Sequence, residues 1–240
     1  MLKSIALASV LGTAGLVVTG VLPCPCEALT RLGSCCAPDG ACDDAPSGLY
    51  LEARDVTVWG GACHVGSQAV SQGQHAVQGW AFERGAVDGV DLSGVRIAAA
   101  IEGDANLQAR EVFRSGDAAT VRSMVWVDAP SAEARDAAVA YVSETVCLGD
   151  VLDVVEADVR VTRDGDAFAL AVPGVLDVSG AALADRSCCS MPESRWYAPL
   201  AETTESVVGN PASCRFEGVE SLGRWAFEGE NSVFVARFGA

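Results

Sequence analysis

The chain has almost no lysine and very little histidine. Lys3 is the only lysine among the 240 residues, and His64 and His75 are the only histidines. Beyond Lys3 no lysine amine can act as a nucleophile or form a Schiff base. General-base catalysis by imidazole is restricted to two residues. Lysine-dependent chemistry is therefore excluded from the main part of the chain.

Sequence motifs of several large enzyme classes are also missing. The glycine-rich stretches lack the GK[ST] or GxGxxG context that binds phosphates. No Gly-x-Ser-x-Gly elbow is present, and the cysteines lack the CxxC…CxxC spacing of a zinc ribbon. We therefore expect a protein that is not an enzyme and does not hold structural zinc.

Positive charge is scarce as well. The 16 basic residues face 32 acidic ones, which gives a net charge of −16. Such a chain repels nucleic-acid phosphates and anionic lipid headgroups. We expect no nucleic-acid partner, and membrane contact only through an uncleaved N-terminal segment. The composition predicts no oligomeric state.

Cysteine is plentiful, and it follows an apolar N-terminal segment. Five of the ten cysteines fall between Cys24 and Cys42. Lys3 precedes an uncharged run over 4–22, and Cys26 and Ala28 are small residues at a cleavage position. This pattern predicts a signal peptide over 1–28 and a periplasmic or extracellular protein; the alternative is a membrane anchor through residues 4–22.

The remaining chain divides into a linker and one domain. Residues 29–48 are rich in Cys, Gly, Pro, Ser and Asp and have no apolar period, which is typical of a linker. Residues 49–240 are long and hydrophobic enough to form a single core. We therefore predict one globular domain over 49–240.

Alternating apolar residues between Gly and Asp predict a protein rich in strands. Ser131 is a suitable N-cap for a helix over about 131–147, with Glu133 in its first turn. The Asp164–Gly165 pair predicts a hairpin, and 223–228 and 232–238 predict a C-terminal hairpin. The predicted fold class is α+β, with a mostly antiparallel sheet and one clear helix. The other predicted strands are 50–59, 76–83, 96–102, 121–128, 154–162, 167–172 and 175–178.

Four motifs occur in an order that resembles a bacterial family, the domain of unknown function 1326. The resemblance covers roughly Leu49 to Phe238. No activity is established for that family, so the resemblance implies a shared fold and little about function. The motifs are Tyr50-x-Glu52, the GVDLSGV stretch over 89–95, the WVDAPS stretch over 126–131, and the NSVF stretch over 231–234.

The chain departs from this family in the position of its sulfur. Many family members carry a cysteine cluster directly after the first Tyr-x-Glu, where this chain has Arg54, Asp55 and Val56. Here sulfur comes later, at Cys63 and at the Cys188–Cys189 pair. A role for the early cluster does not carry over to this chain.

Two short motifs concentrate soft metal donors. Cys63 and His64 are adjacent, and Cys188, Cys189 and Met191 lie within four consecutive residues. Thiolate, imidazole and thioether groups favour Cu(I) over Mg or Ca. The alternative for Cys63 is a disulfide beside an exposed histidine.

Adjacent cysteines rarely bond to each other, so Cys188 and Cys189 need other partners. Cys63 and Cys214 are the natural candidates, either as fellow metal ligands or as disulfide partners. In the disulfide alternative, Met191 would pack in the core. Cys147, at the end of the helix, is expected to be buried or bridged.

The linker holds a third group of thiols, Cys35, Cys36 and Cys42. Short cysteine-rich tracts bind soft metals, and in exported chains they also form disulfides that fasten a tail to a domain. We treat these three as auxiliary thiols. A groove lined by Trp59 and Trp196 is a further binding surface that the sequence allows.

Two functions follow from these observations. The first is an exported, non-enzymatic protein that binds a soft metal ion such as Cu(I). The second is a disulfide-stapled binding module for a ligand or protein, without metal. The predicted metal ligands are Cys63, His64, Cys188, Cys189, Met191 and Cys214.

Overall fold

Strands dominate the part of the chain that the structure describes. The computed structural model describes residues 44–59, 73–108, 118–183, 196–219, 221–229 and 231–239. Of these residues, 54% lie in strands and 9% in helix. The predicted leader and most of the predicted linker lie outside the described residues.

The described residues contain thirteen strands and one helix. The strands are numbered β1 to β13 and the helix is α1. In chain order they are β1 Ser47–Arg54, β2 His75–Arg84, β3 Ala86–Val87, β4 Val90–Asp91, β5 Arg96–Gly103, β6 Val121–Asp128, α1 Ala132–Thr145, β7 Asp150–Glu156, β8 Arg160–Asp164, β9 Ala167–Val172, β10 Leu176–Ala182, β11 Thr204–Phe216, β12 Trp225–Ala226 and β13 Val233–Phe238.

Ten of the strands form one curled sheet. Their order is β7-β6-β5-β2-β1-β13-β11-β10-β9-β8, and the short β12 pairs with β11 off this path. β6 and β7 are parallel. The sheet is therefore mixed, and it closes into a half-barrel with one short helix. β3 and β4 form a separate two-stranded hairpin.

The predicted fold class, α+β with a mostly antiparallel sheet, is wrong. The protein is mostly β, and its single described helix is the crossover that joins the parallel strands β6 and β7. A parallel pair requires such a crossover connection. Most of the remaining sheet curls over itself rather than being covered by helices.

The predicted C-terminal hairpin is also wrong. β13 pairs with β1 on one side and with β11 on the other, so it is a central strand. β12 pairs with β11 instead, through Arg215–Ala226 and Phe216–Trp225. The turn-like residues before β13 therefore connect strands that are not neighbours.

The helix forms where its capping residue predicts. Ser131 is the N-cap, and its hydroxyl accepts a hydrogen bond from the Ala134 amide at 3.1 Å. Glu133 lies in the first turn, where the helix dipole favours negative charge. The buried residues of α1, Ala134, Ala138 and Val142, pack on the sheet.

Alternation along β1 divides the domain into two apolar cores. Leu49, Leu51 and Ala53 face the inner core, where β8 and β9 fold over β1, β2 and β5. Tyr50, Glu52 and Arg54 face the other side of the sheet, where α1 packs against the outer core. One face of β1 thus packs in the inner core, and its other face lies on the side of the outer core.

A close approach at Gly79 allows the sheet to curl. Gly79 on β2 faces the inner core, and a Cβ placed there would lie 2.6 Å from Cδ1 of Leu170. Only a residue without a side chain permits β9 to pack this closely on β2.

Within the described residues, no helix is long and apolar enough to cross a membrane.

Candidate functional site

Most of the predicted metal ligands lie outside the described residues, and only Cys214, on β11, is described. The structure does describe the residues at which the two missing stretches, 60–72 and 184–195, begin and end. The predicted ligands and auxiliary thiols outside the described residues are Cys63, His64, Cys188, Cys189, Met191, Cys35, Cys36 and Cys42.

The residues that border these two stretches pack together. Trp59 directly precedes 60–72, and Leu183 and Trp196 flank 184–195. All three belong to one apolar group, which we call the anchor cluster. It consists of the buried residues Val56, Val58, Trp59, Tyr197, Val208 and Phe234, with Leu183 and Trp196 packed against them.

Backbone hydrogen bonds hold the anchor cluster in place. The Val58 carbonyl accepts from the amides of Trp196 at 2.9 Å and Tyr197 at 3.2 Å. The Val58 amide donates to Asn231 at 2.8 Å, next to the central strand β13. The backbone just before 60–72 is thus bonded directly to the backbone just after 184–195.

Beneath the anchor cluster lies a polar network that is completely buried. Oε2 of Glu52 accepts hydrogen bonds from the Tyr50 hydroxyl at 2.5 Å and from the Leu200 amide at 2.8 Å. Oε1 of Glu52 pairs with Nη1 of Arg54 at 3.2 Å, and both side chains are 0% exposed. Nε2 of Gln78 donates to the Tyr50 hydroxyl at 2.8 Å.

Arg54 connects this network to both stretches. Its Nη2 donates to the carbonyl of Gly73, the first described residue after 60–72, at 3.4 Å. Its guanidinium lies 5.3 Å from the ring centroid of Tyr197, a cation–π distance. The Tyr197 hydroxyl in turn accepts from Asn106 at 2.8 Å. A single buried cation thus contacts the first residue after one stretch and the second residue after the other.

Burial makes this network energetically demanding. An ion pair inside a protein is costly to desolvate, and removing one partner leaves an uncompensated charge. Burial raises the pKa of the Tyr50 phenol well above its ordinary value, and the charge of Glu52 raises it further. Tyr50 therefore remains a neutral donor to Glu52, which suits a structural role.

The sequence carries one signal for this network. Tyr50-x-Glu52-x-Arg54 places three polar groups on one face of a strand, since side chains alternate. Leu49, Leu51 and Ala53 between them make the strand apolar on its other face. Burial of the polar face is not visible in that pattern.

A second polar group lies at the end of the inner core. Asp55, His75, Glu102 and Arg122, which we call the rim cluster, sit at the neighbouring ends of β1, β2, β5 and β6. Nδ1 of His75 lies 2.7 Å from Oδ2 of Asp55, and Nε2 lies 3.9 Å from Oε2 of Glu102. Arg122 pairs with Oε1 of Glu102 at 2.7 Å.

An open groove adjoins the rim cluster. Oε2 of Glu102 accepts from the Gly223 amide at 3.0 Å, which fastens the loop before β12 to β5. The Trp225 ring lies 5.8 Å from the His75 ring. The groove has a volume of about 670 Å³, and Glu102, Arg122, Glu217, Leu222 and Arg224 are among its lining residues.

The rim cluster is poorly arranged for general-base catalysis. Both ring nitrogens of His75 face carboxylates, so neither is directed at an open position. The hydrogen bond to Asp55 raises the pKa of His75, burial opposes that rise, and the charges of Asp55 and Glu102 add to it. This shift moves the imidazole toward its protonated form, whereas a general base must be neutral.

Cys214 lies apart from the anchor cluster. It is 2% exposed and belongs to the inner core, whereas Val208 on the same strand belongs to the anchor cluster. An irregularity in the β10–β11 pairing opposite Ser179 and Gly180 changes the face of β11 between these two residues. Burial raises the pKa of the Cys214 thiol to about 12. The thiol is therefore protonated at neutral pH and is a weak metal donor.

The structure also bears on the expectations for Cys147, for a groove between Trp59 and Trp196, and for metal-binding groups. Cys147, after α1, is disulfide-bonded. Trp59 is only 6% exposed, so it packs in the anchor cluster rather than lining a groove with Trp196. Among the described residues, no group of three or more His, Cys, Asp or Glu side chains is placed to hold a metal ion.

No protein-family model matches this chain, and no curated protein matches it. The resemblance to the domain of unknown function 1326 family therefore stays a prediction from the four motifs.

Proposed function

We propose that this chain is an exported, non-enzymatic protein that binds a soft metal ion such as Cu(I). The proposed ligands are the side chains of Cys63, His64, Cys188, Cys189 and Met191. The observation that carries the proposal is the pair of hydrogen bonds from Trp196 and Tyr197 to the Val58 carbonyl. These bonds join the backbone shortly before one donor-bearing stretch to the backbone directly after the other.

Chain length supports a common site. An extended chain spans at most about 3.6 Å per residue. Cys63 follows Trp59 by four positions, and Met191 precedes Trp196 by five. Their Cα atoms therefore lie within about 14 Å and 18 Å of anchor residues that pack in one cluster. Spans this short allow donors far apart in sequence to reach one site.

The donor chemistry selects the metal. Thiolate and thioether sulfur are soft ligands that favour Cu(I), while Mg and Ca prefer oxygen. The net charge of −16 favours accumulation of cations around the protein. Cys214 is left out of the proposal, because it is buried on the inner side of the sheet and its thiol is protonated.

A disulfide-stapled binding module is the competing function. The disulfide at Cys147 favours it, since bonded cysteines are the common state in exported proteins. The anchor cluster would then serve to align Cys63 with Cys188 or Cys189 for bonding. A ligand would bind elsewhere, and the groove beside the rim cluster is the candidate surface.

Titration with Cu(I) in the presence of a chromogenic Cu(I) chelator tests the metal proposal. We expect the purified, reduced protein to withdraw about one equivalent of Cu(I) from the chelator. The double variant Cys188→Ser/Cys189→Ser should lose this uptake, whereas the control Cys214→Ala should retain it. Loss of uptake in the control alone would contradict the assignment.

Thiol counting separates the two functions. Under denaturing, non-reducing conditions, a binding module stapled by disulfides should show about two free thiols, because Cys214 is free and the even number of cysteines leaves a second one unpaired. A metal protein isolated with its metal should release more free thiols than this on denaturation. No Cu(I) uptake together with a thiol count near two would overturn the metal proposal and support the module.

A further inference from the structure

The groove beside the rim cluster has two walls, and each wall carries one arginine and one glutamate. Glu102 on β5 and Arg122 on β6 form the sheet wall. Glu217 and Arg224, from the loop that joins β11 to β12, form the loop wall. The volume of about 670 Å³ lies in the range of small-molecule pockets. The described lining residues are thus balanced in charge, in a chain whose net charge is −16.

Glu102 joins the two walls of the groove and fixes their separation. Its Oε1 pairs with Nη2 of Arg122 at 2.7 Å, and its Oε2 accepts a hydrogen bond from the Gly223 amide of the loop at 3.0 Å. Both carboxylate oxygens are therefore engaged. Glu102 is thus a positioning residue, and it leaves Arg122 as the charged group that the sheet wall presents to a ligand.

The loop wall is held by its own backbone. Val219 and Leu222 exchange two backbone hydrogen bonds of 3.1 Å. The Glu217 amide donates to the Val175 carbonyl at 2.8 Å, and the buried Leu222 side chain belongs to the inner core. The loop therefore presents its charged side chains from a fixed backbone, and a preformed site loses less conformational entropy on binding.

Hydrogen-bonding groups remain unused on both walls. Within the described residues, Arg122 contacts only Glu102, through Nη2, so most of its N–H donors are unused. On the loop wall, Oε2 of Glu217 pairs with Nη2 of Arg224 at 3.2 Å. This pairing leaves Oε1 of Glu217 as an acceptor and Nη1 of Arg224 as a donor. The groove thus offers a guanidinium on one wall and a carboxylate oxygen on the other.

We propose that this groove binds a small zwitterion that carries a carboxylate and an ammonium group. The ligand carboxylate pairs with Arg122, because a guanidinium matches a carboxylate with parallel hydrogen bonds. The ligand ammonium group faces Oε1 of Glu217. A simple anion gains only the first contact and meets the charge of Glu217, while a simple cation gains only the second and meets two arginines. A ligand with both charges is therefore favoured over either.

The groove is independent of the proposed copper site. None of its lining residues is a proposed metal ligand. A chain that takes up no Cu(I) therefore still binds the zwitterion, and failure of either activity leaves the other standing.

Titration of the full chain, followed by two-dimensional NMR of the amides, tests the groove. Glycine, β-alanine and γ-aminobutyrate carry both charges at increasing separations. Each is compared, at constant pH and ionic strength, with the carboxylate and the amine that result from deleting one charged group. We expect at least one zwitterion to shift the Gly223 amide saturably and to bind about fivefold more tightly than its matched carboxylate and amine. No saturable shift with any of the three, or a matched carboxylate that binds as tightly, would overturn the proposal.

Two variants assign the charged groups of the groove. In Arg122→Gln, the best zwitterion should bind about fivefold more weakly than in wild type, and no more tightly than its matched amine. In Glu217→Gln, it should bind no more tightly than its matched carboxylate. The control Arg96→Gln, at the other end of β5, should bind as wild type. Unchanged affinity in Arg122→Gln or Glu217→Gln would contradict the assignment, and the comparison of probes on wild type decides the proposal even if a variant fails to fold.

Discussion

At the scale of single residues, the most informative pair is Glu52 and Arg54. Both are fully buried, and together they contact Tyr50, Leu200, Gly73 and Tyr197. Their position on β1 follows from strand alternation, but their burial depends on the segment 196–201 that covers them. Charged residues on a strand are usually exposed to solvent. The sequence alone therefore predicts that Glu52 and Arg54 are exposed, whereas both are buried.

Replacing Glu52 with Gln should destabilise the protein strongly. The variant leaves the Arg54 guanidinium buried without its counter-charge, and loss of one partner of a buried pair costs about 3–5 kcal/mol. The control Glu83→Gln removes an exposed partner of Arg237 and should cost about 1 kcal/mol or less. Urea unfolding of both variants measures the free energies. Equal small losses would show that the buried pair contributes little.

His75 should make stability depend on pH. Its pKa is raised in the folded protein, chiefly by the hydrogen bond to Asp55. The stabilisation is fully present below the unfolded pKa of about 6.5 and disappears as pH rises through the higher folded value. Compared with His75→Asn, wild type should lose relative melting temperature between pH 5.5 and 8.5. A relative melting temperature that increases with pH would contradict the sign of the shift.

At the scale of elements, local patterns predicted several segments well. β6 spans Val121–Asp128, as its alternation predicts, and α1 begins after Ser131. The hairpin at Gly165 joins β8 and β9. The predicted strand 154–162 is wrong, because β7 ends at Glu156 and β8 begins at Arg160. A continuous apolar pattern does not reveal that its two halves pair with different strands.

The longest strand, β11, was not predicted at all. Thr204–Phe216 contains Gly, Asn, Pro and Ser, which are depleted in strands, and its pairing with β10 is irregular. β11 forms because β13 and β10 supply hydrogen-bonding partners on both sides. Tertiary pairing here overrides local propensity.

Close contact between β2 and β9 should make Gly79 intolerant of substitution. A methyl group in Gly79→Ala would lie 2.6 Å from Leu170 Cδ1, and overpacking of this kind costs about 1–3 kcal/mol. Gly223→Ala is a suitable control, since its Cβ would meet nothing closer than 3.6 Å. Thermal unfolding of the two variants provides the comparison. A Gly79→Ala variant as stable as Gly223→Ala would show that the strands can separate without cost.

At the scale of the whole molecule, the order of the strands in the sheet determines which distant segments pack together. β13, the last strand, lies between β1 and β11 near the middle of the sheet. Its Phe234 contributes to the anchor cluster and its Val233 and Val235 to the inner core. The end of the chain is therefore required to bring the borders of 60–72 and 184–195 together.

Deleting residues 231–240 should abolish folding. The deletion removes a buried central strand and separates β1 from β11, whereas an edge strand of a C-terminal hairpin would be less important. Circular dichroism and two-dimensional NMR would report loss of the folded state. Removal of Ala240 alone serves as the control and should leave the fold intact. A folded protein without 231–240 would refute the central position of β13.

The sequence by itself determined the scarcity of lysine and histidine, the soft donors, the export-like leader and the approximate position of many strands. These depend on composition and on local periodicity, which each segment carries within itself. Only the tertiary structure decided that β13 is central, that Glu52 and Arg54 are buried, and that Trp59, Leu183 and Trp196 meet. The physical reason is that hydrogen bonding across a sheet joins residues far apart in the chain, so the neighbours of a strand are chosen by the whole fold.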